Sequence, residues 1–346
     1  MSEVIVAPEM RDLDALEGQL SRWLAARLAP ASDIRIANLT YPRGAGQSHE
    51  TILFDLAWQQ GGAEMQRGCV LRIKPGRFTV YPDDLFEQQY RIMQAVRDHV
   101  RVAEVYWYEE DPSVLGAPFF VMEKRSGRVP VSVPPYRDSG WVAESSPAQR
   151  RTMWQNGVRQ LAAIQRVPLD GLDFLAGPDG ARDGLAQEFD KFTRFVDWVA
   201  DTPAHPILAA GLDRLRQLWP AHQPAGLVWG DARLGNMMFD DQYDVVTVMD
   251  WEQPSLGGAL HDLAWWIVVS ETMHGATADT PHLAGMGTRE ETIALWEEQT
   301  GITAHDIEWY EDFTRLKMSC LGARMAALRG APGADLGWLA RRLKVA

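Results

Sequence analysis

Three polar residues stand where the chain ought to be apolar. Asp231, Asn236 and Asp250 lie in the runs Val228-Trp229-Gly230-Asp231-Ala232-Arg233-Leu234-Gly235-Asn236-Met237-Met238-Phe239 and Val248-Met249-Asp250-Trp251-Glu252. Placing such groups at the ends of apolar strands costs free energy unless each is paired or coordinated. An Asp carboxylate and an Asn carbonyl held together are hard oxygen ligands suited to Mg²⁺. A second carboxylate facing an incoming hydroxyl orients that nucleophile and takes its proton late, as phosphoryl transfer requires. Arg233, two residues past Asp231, offers a cation for the transferring phosphoryl group or for an anionic substrate; bracing of the loop is the plainer alternative. The bland reading of the whole window is a surface turn at Asp231, an Asn starting one strand and an Asp ending another.

For these groups to meet, a hairpin must fold back on itself. The pattern predicts short β segments at 227–229, 237–239 and 245–249, with the acidic turn Asp240, Asp241 and Asp244 between the last two. Folding 237–250 into a hairpin returns Asp250 to the side of Asn236. Ahead of it, apolar spacing predicts a helix over 9–28, strands at 34–39, 51–58 and 69–73, a helix opening near Asp83 and Asp84, and strands at 103–108 and 118–122. The stretch 128–141 is proline-rich loop. Ser146-Pro147 has the form of an N-cap followed by proline at the first helical position, opening a helix through Ile164. Further helices are expected over 184–200, 207–218, 260–273, 288–299, 304–328 and 333–343. The sum is an α+β chain: an N-terminal β-rich lobe at 1–123, a hinge at 124–127 and a helical C-terminal lobe at 128–346 that carries the hairpin.

The window 228–252 resembles the catalytic signature of the aminoglycoside phosphotransferase-like family, within the two-lobed protein-kinase-like fold. By that resemblance Asp231 matches the catalytic Asp, Asn236 a magnesium ligand and Asp250 the principal magnesium ligand. Trp229 stands where the family usually has His, a structural brace. Gly44-Ala45-Gly46-Gln47-Ser48-His49-Glu50-Thr51 resembles the nucleotide loop of the subgroup with acyl-CoA-dehydrogenase-associated kinase-like domains, and Val70-Leu71-Arg72-Ile73-Lys74-Pro75 its third strand. Gly116 to Glu123, Asp262-Leu263-Ala264-Trp265 and Trp309-Tyr310 continue the likeness in order. Gly44 and Gly46 allow backbone N–H groups close to phosphates, and Ser48 can donate a hydroxyl. Arg72 falls where the ATP-binding Lys is usual, with Lys74 as its substitute on the same strand face. The helix partner of that cation is open: either Glu87 supplies the carboxylate or Gln89, at the matching position, hydrogen-bonds without neutralising. Glu123 and Arg125 lie at the hinge, where backbone groups meet the adenine edge. Asp262 is expected to cap its helix and tie the hairpin down.

Composition narrows what remains. The chain has 346 residues and a formal net charge of −13, which disfavours nucleic acid and anionic membrane as partners. Cys69 and Cys320 sit far apart in apolar company and suggest a reducing compartment. No secretory start is visible, and the longest apolar stretch, Leu263 to Val269, is too short to cross a bilayer, so a cytoplasmic monomer or homodimer is expected. HExxH, Gly-x-Ser-x-Gly and P-loop patterns are absent from the sequence. The expected activity is Mg²⁺-dependent transfer of a γ-phosphoryl group from ATP or GTP to a small-molecule hydroxyl, either a metabolic hydroxyl such as a hydroxyacyl-CoA or an aminoglycoside. A nucleotide-binding module with weak or no catalysis is the alternative, motivated by Trp229, Arg72 and Gln89.

Overall fold

The computed structural model describes residues 11–42, 50–76, 79–177, 184–275 and 281–345. Packing divides it into two units: Met1–Thr79 with Ala103–Arg125, and Val80–Val102 with Ser126–Ala346.

In the first unit, strands β1 (Ser32–Thr40), β2 (Glu50–Gln60), β3 (Ala63–Ile73), β4 (Val105–Glu109) and β5 (Phe119–Glu123) form an antiparallel sheet in the order β1-β2-β3-β5-β4. Strict alternation along β2, and the side-chain period of two in the second half of β3, decide which face is core. Ile52, Phe54, Leu56 and Trp58 join Cys69, Leu71 and Ile73, with Phe119 and Val121 from β5. Helix α1 (Leu13–Leu28) completes that cluster through Leu16, Leu20, Trp23 and Leu24, which helical spacing puts on one side. Full burial of a side chain such as Leu20 contributes roughly 1.5–3 kcal/mol. Asp12 starts the helix by accepting from the N–H groups of Asp14 and Ala15. The same alternation sends Arg72, registered opposite Thr51 and Phe120, to the face away from the core.

The second unit contains α2 (Phe86–Val96), α3 (Pro147–Ile164), α4 (Gly184–Trp198), α5 (His205–Gln217), the hairpin β6 (Met237–Phe239) and β7 (Val245–Val248), then α6 (Leu260–Ser270), α7 (Arg289–Thr300), α8 (Ile307–Leu328) and α9 (Gly337–Leu343). Ser146 and Gln149 form a reciprocal capping box at the start of α3, as the Ser-Pro pair suggests. The expected strand at 227–229 reduces to one bridge, Val228 with Ser255, because its neighbours turn toward the loop that follows. The helix expected through 273 ends at Ser270 and passes into a wider turn, Glu271–Gly275. Residues 80–102, adjacent in sequence to the sheet, pack with the helices instead. Asp83 pairs with Arg194 of α4 at 2.7 Å, Arg91 lies over Phe174, and Arg101 donates to the Val245 carbonyl at 2.6 Å. Every residue of α6 from Leu260 to Val269 is buried, the signature of a helix enclosed on all sides.

Candidate active site

The 229–236 loop is pinned from beneath before its side chains do anything. Asp262, in the first turn of α6, accepts from the backbone N–H of Trp229 at 2.6 Å and of Gly230 at 2.9 Å. It does not cap its own helix, which begins after Ala259 without a side-chain cap; the expected tie is present and the expected cap is not. Burial raises the Asp262 pKa to about 6, and the two backbone donors hold it back from rising further. Gly230 has φ +107°, and a Cβ there would meet the Gln253 carbonyl oxygen at 2.8 Å, so only glycine fits the turn. Trp229 is fully buried and donates its indole N–H to the Met249 carbonyl at 2.8 Å. The indole thus braces the loop against the end of β7.

The hairpin closes the other side. Met237 pairs with Val248, and the Met249 N–H donates to the Asn236 carbonyl at 2.8 Å, carrying the ladder one step past β7. Asp250 comes next, with φ +61°, a left-handed backbone that Asp tolerates better than most residues.

Asp231 lies at the centre. Its Oδ2 accepts from Asn236 Nδ2 at 2.7 Å and from Arg233 Nε at 2.9 Å, and its Oδ1 accepts from the Trp265 indole N–H at 2.8 Å. Arg233 also donates through Nη1 to Ser132 Oγ at 2.6 Å. Burial works against the Arg233 charge, yet Asp231 and Asp250 outweigh it and raise its pKa. Burial, and then the negative charges of Glu252, Asp231 and Asp250, push the Tyr81 hydroxyl well above the ordinary tyrosine value. One cation therefore faces a concentration of carboxylate charge.

That donor chemistry fits a hard divalent ion. Asn236 commits its amide nitrogen to both Asp231 Oδ2 and the Asp231 carbonyl, the latter at 3.0 Å. Its side-chain carbonyl oxygen therefore lies on the opposite side of the amide group, a donor type that suits a hard divalent ion. Among the described residues no group of three or more His, Cys, Asp or Glu side chains could hold a metal by itself.

The structure thus brings together Asp231, Arg233, Asn236 and Asp250. Arg72 and Lys74 belong to the other unit, on β3 and just past its end, where the Lys74 N–H donates to Pro118 O at 3.0 Å. Glu123 closes β5 and pairs with Arg125 at 2.8 Å. Glu87 is exposed and meets Arg91 one turn along α2, whereas Gln89 is the buried member of that pair of candidates. Gly44, Gly46 and Ser48 lie outside the described residues. Sequence reasoning gave Trp265, Tyr81 and Ser132 no role. A signal for Trp265 did exist: it stands three residues after Asp262, on the same helix face.

A model of the phosphotransferase enzyme family matches residues 42–298. A probable acyl-CoA dehydrogenase of Arabidopsis thaliana is 26% identical over 235 residues, 64% of this chain. The chain aligns with only 27% of that relative's length. A chain from Ralstonia eutropha JMP134, solved as a candidate aminoglycoside phosphotransferase, superposes with a TM-score of 0.68 at 24% identity, covering 94% of each chain. A thermostable mutant of aminoglycoside phosphotransferase APH(4)-Ia, solved with AMP-PNP and hygromycin B, gives 0.51 at 15% identity, covering 94% of this chain and 96% of that one. These likenesses show the fold: an antiparallel β-sheet N-terminal lobe and a mostly helical C-terminal lobe of the protein-kinase-like kind. No helix among the described residues is long and apolar enough to cross a membrane.

Proposed function

The chain belongs to the phosphotransferase enzyme family, and we propose that it is a small-molecule kinase that moves the γ-phosphoryl group of ATP or GTP to the hydroxyl of a metabolic acceptor. The observation that carries this reading is the Asp231 carboxylate, fixed by Trp265, Arg233 and Asn236 beside Asp250. Asp231 orients the acceptor hydroxyl and receives its proton as the new bond forms. Arg233 neutralises charge next to that carboxylate. Asn236 and Asp250 would hold Mg²⁺, which when bound screens the phosphate charge. In this reading the functional lobes are 1–123 for the nucleotide, through Gly44, Gly46, Ser48 and Arg72 or Lys74, and 128–346 for the chemistry, with 124–127 as hinge. Glu123 marks the strand end whose backbone meets the base. The packing of 80–102 with the helices leaves Glu87 on the solvent side of α2.

The likeness to an acyl-CoA dehydrogenase relative favours a hydroxyacyl thioester or a related metabolic hydroxyl over an aminoglycoside. The nucleotide analogue and antibiotic in the APH(4)-Ia complex keep the second acceptor class in the test. The test is transfer of labelled γ-phosphate from ATP or GTP, with and without Mg²⁺, to hydroxyacyl-CoA thioesters, simple hydroxylated metabolites and aminoglycosides, repeated with Asp231→Asn. Metal-dependent transfer that the variant abolishes supports the reading. Transfer that survives the substitution defeats it, and nucleotide binding without transfer to any acceptor favours the weakly catalytic alternative.

A further inference from the structure

The two oxygens of the Asp231 carboxylate are not equivalent. An ionised carboxylate offers about four in-plane acceptor positions, two on each oxygen. Oδ2 receives two donors, Arg233 Nε and Asn236 Nδ2, and is filled. Oδ1 receives one, the Trp265 indole N–H, and keeps a position open. Resting on the phosphotransferase reading above, we propose that Oδ1 is the oxygen that takes the acceptor's proton and that Trp265 is the positioning residue that aims it.

An indole is suited to this task. It donates one hydrogen and accepts none, so it cannot exchange roles with the carboxylate or remove the incoming proton. Trp265 is almost wholly buried on α6, the same enclosed helix whose Asp262 holds the backbone of residues 229 and 230. One helix turn therefore fixes the loop twice, by its backbone and by its reacting side chain. Beneath the indole, Lys317 Nζ lies 5.5 Å from the ring centroid and is itself paired with Glu188 at 3.4 Å. A cation over the ring draws π density toward itself and strengthens the N–H as a donor. The step balances. The acceptor oxygen forms a bond to the γ-phosphorus, the bond from that phosphorus to the β,γ-bridging oxygen breaks, the nucleoside diphosphate leaves, and the acceptor proton passes to Oδ1.

The decisive comparison uses Trp265→Phe, Asp231→Asn and the double variant in the full chain, with kcat and both KM values measured and folding checked by thermal unfolding. Trp265→Phe keeps an aromatic ring on the Lys317 side and removes the N–H donor together with one ring of the indole, so the melting midpoint is measured beside kcat. We expect kcat to fall about ten- to a hundredfold, the range for a misplaced reacting group, with both KM values little changed. The double variant should be no slower than Asp231→Asn, because the indole acts only through that carboxylate. Trp265→His, which returns a ring N–H, should recover part of the loss and guards against a phenylalanine variant that fails to fold. Unchanged kcat in Trp265→Phe, or losses that multiply in the double variant, would overturn the role of Trp265 while leaving the kinase reading intact. Activity persisting in Asp231→Asn would remove both.

Discussion

Two groups of charges lie one above the other in the second unit, and they are built oppositely. At the mouth, Asp231 and Arg233 keep side-chain exposures of 21% and 27% and share hydrogen bonds with neutral donors. At the floor, Glu188 and Lys317 are each 2% exposed, with Lys191 adding a second cation 3.5 Å from Glu188 and Ser255 donating to it at 2.7 Å. Burial alone would raise the Glu188 pKa, but Lys191 and Lys317 outweigh it and keep the carboxylate ionised far below its ordinary range. A buried pair of this kind adds little net stability over an apolar replacement, yet removing one partner is severe. The mouth leaves oxygen positions for ligands; the floor leaves none. The difference separates charges open to a ligand from charges that are enclosed.

The contrast breaks most visibly at Asp231. Asp231→Asn should reduce kcat by roughly 10²–10⁴-fold, the usual worth of a positioned general base, while thermal stability moves less than at the floor because Asn keeps the side chain's size and a carbonyl acceptor and Arg233 keeps contact with solvent. Steady-state transfer assays beside thermal melts check both halves. Glu188→Ala should do the reverse. It strands two buried lysines and should lower unfolding free energy by about 3–5 kcal/mol, read by urea denaturation. A folded fraction that still turns over near the parent rate would confine the floor to support.

Acid should loosen the buried floor. His261 is buried among Tyr310, Phe313, Lys317, Glu188 and Lys191, and burial followed by the Lys317 charge lowers its pKa from 6.5 to about 3. His274 is lowered to about 3 as well, by burial and then by His282. Both stay neutral in the fold but take protons when unfolded. Their stabilising contribution is therefore complete above pH 6.5 and drains away as pH falls toward 3. Asp262 runs the other way: its pKa is raised from 3.8 to about 6, so stability recovers part of the loss across that interval. At about 1.4 kcal/mol per pH unit and group, two histidines against one aspartate predict a net fall of a few kcal/mol between pH 7 and pH 4. Urea midpoints across that range should show it, and His261→Phe should flatten the slope.

Much of this was readable from residue order. Apolar runs disclosed the strands of the sheet but not its core face, Ser146-Pro147 marked where α3 begins, and Asp231, Asn236 and Asp250 pointed to the 237–250 hairpin. The three converge because a three-pair β ladder and one added backbone bond, Met249 to Asn236, are short-range consequences of sequence. Trp265 was hidden for a physical reason. Helix α6 is buried on every side, so its apolar periodicity does not say which side meets the loop, and only the spacing from Asp262 does. Tyr81 reaches the carboxylates through the packing of 80–102 with the helices, which no local pattern encodes. Asp262 showed the limit of capping rules. A carboxylate in the first turn has two uses, and here distant backbone donors win over its own helix.

The finest test of the contrast concerns a charge outside both groups. Glu87 was the carboxylate expected to neutralise a phosphate-binding cation, yet it is exposed and meets Arg91 at 3.5 Å across one helical turn. Such i,i+4 pairs contribute about 0.3–0.5 kcal/mol, and Gln89, buried two residues on, occupies the inward side of α2. Glu87→Gln should therefore shift the melting midpoint by no more than a degree or two and leave the nucleotide KM within about twofold. Gln89→Ala opens a cavity in a buried position and should be the more harmful of the two, by roughly 1–3 kcal/mol. If Glu87→Gln instead raises the nucleotide KM severalfold while Gln89→Ala does not, the helix carboxylate belongs with the reacting charges, and the division between mouth and floor must be drawn to include α2.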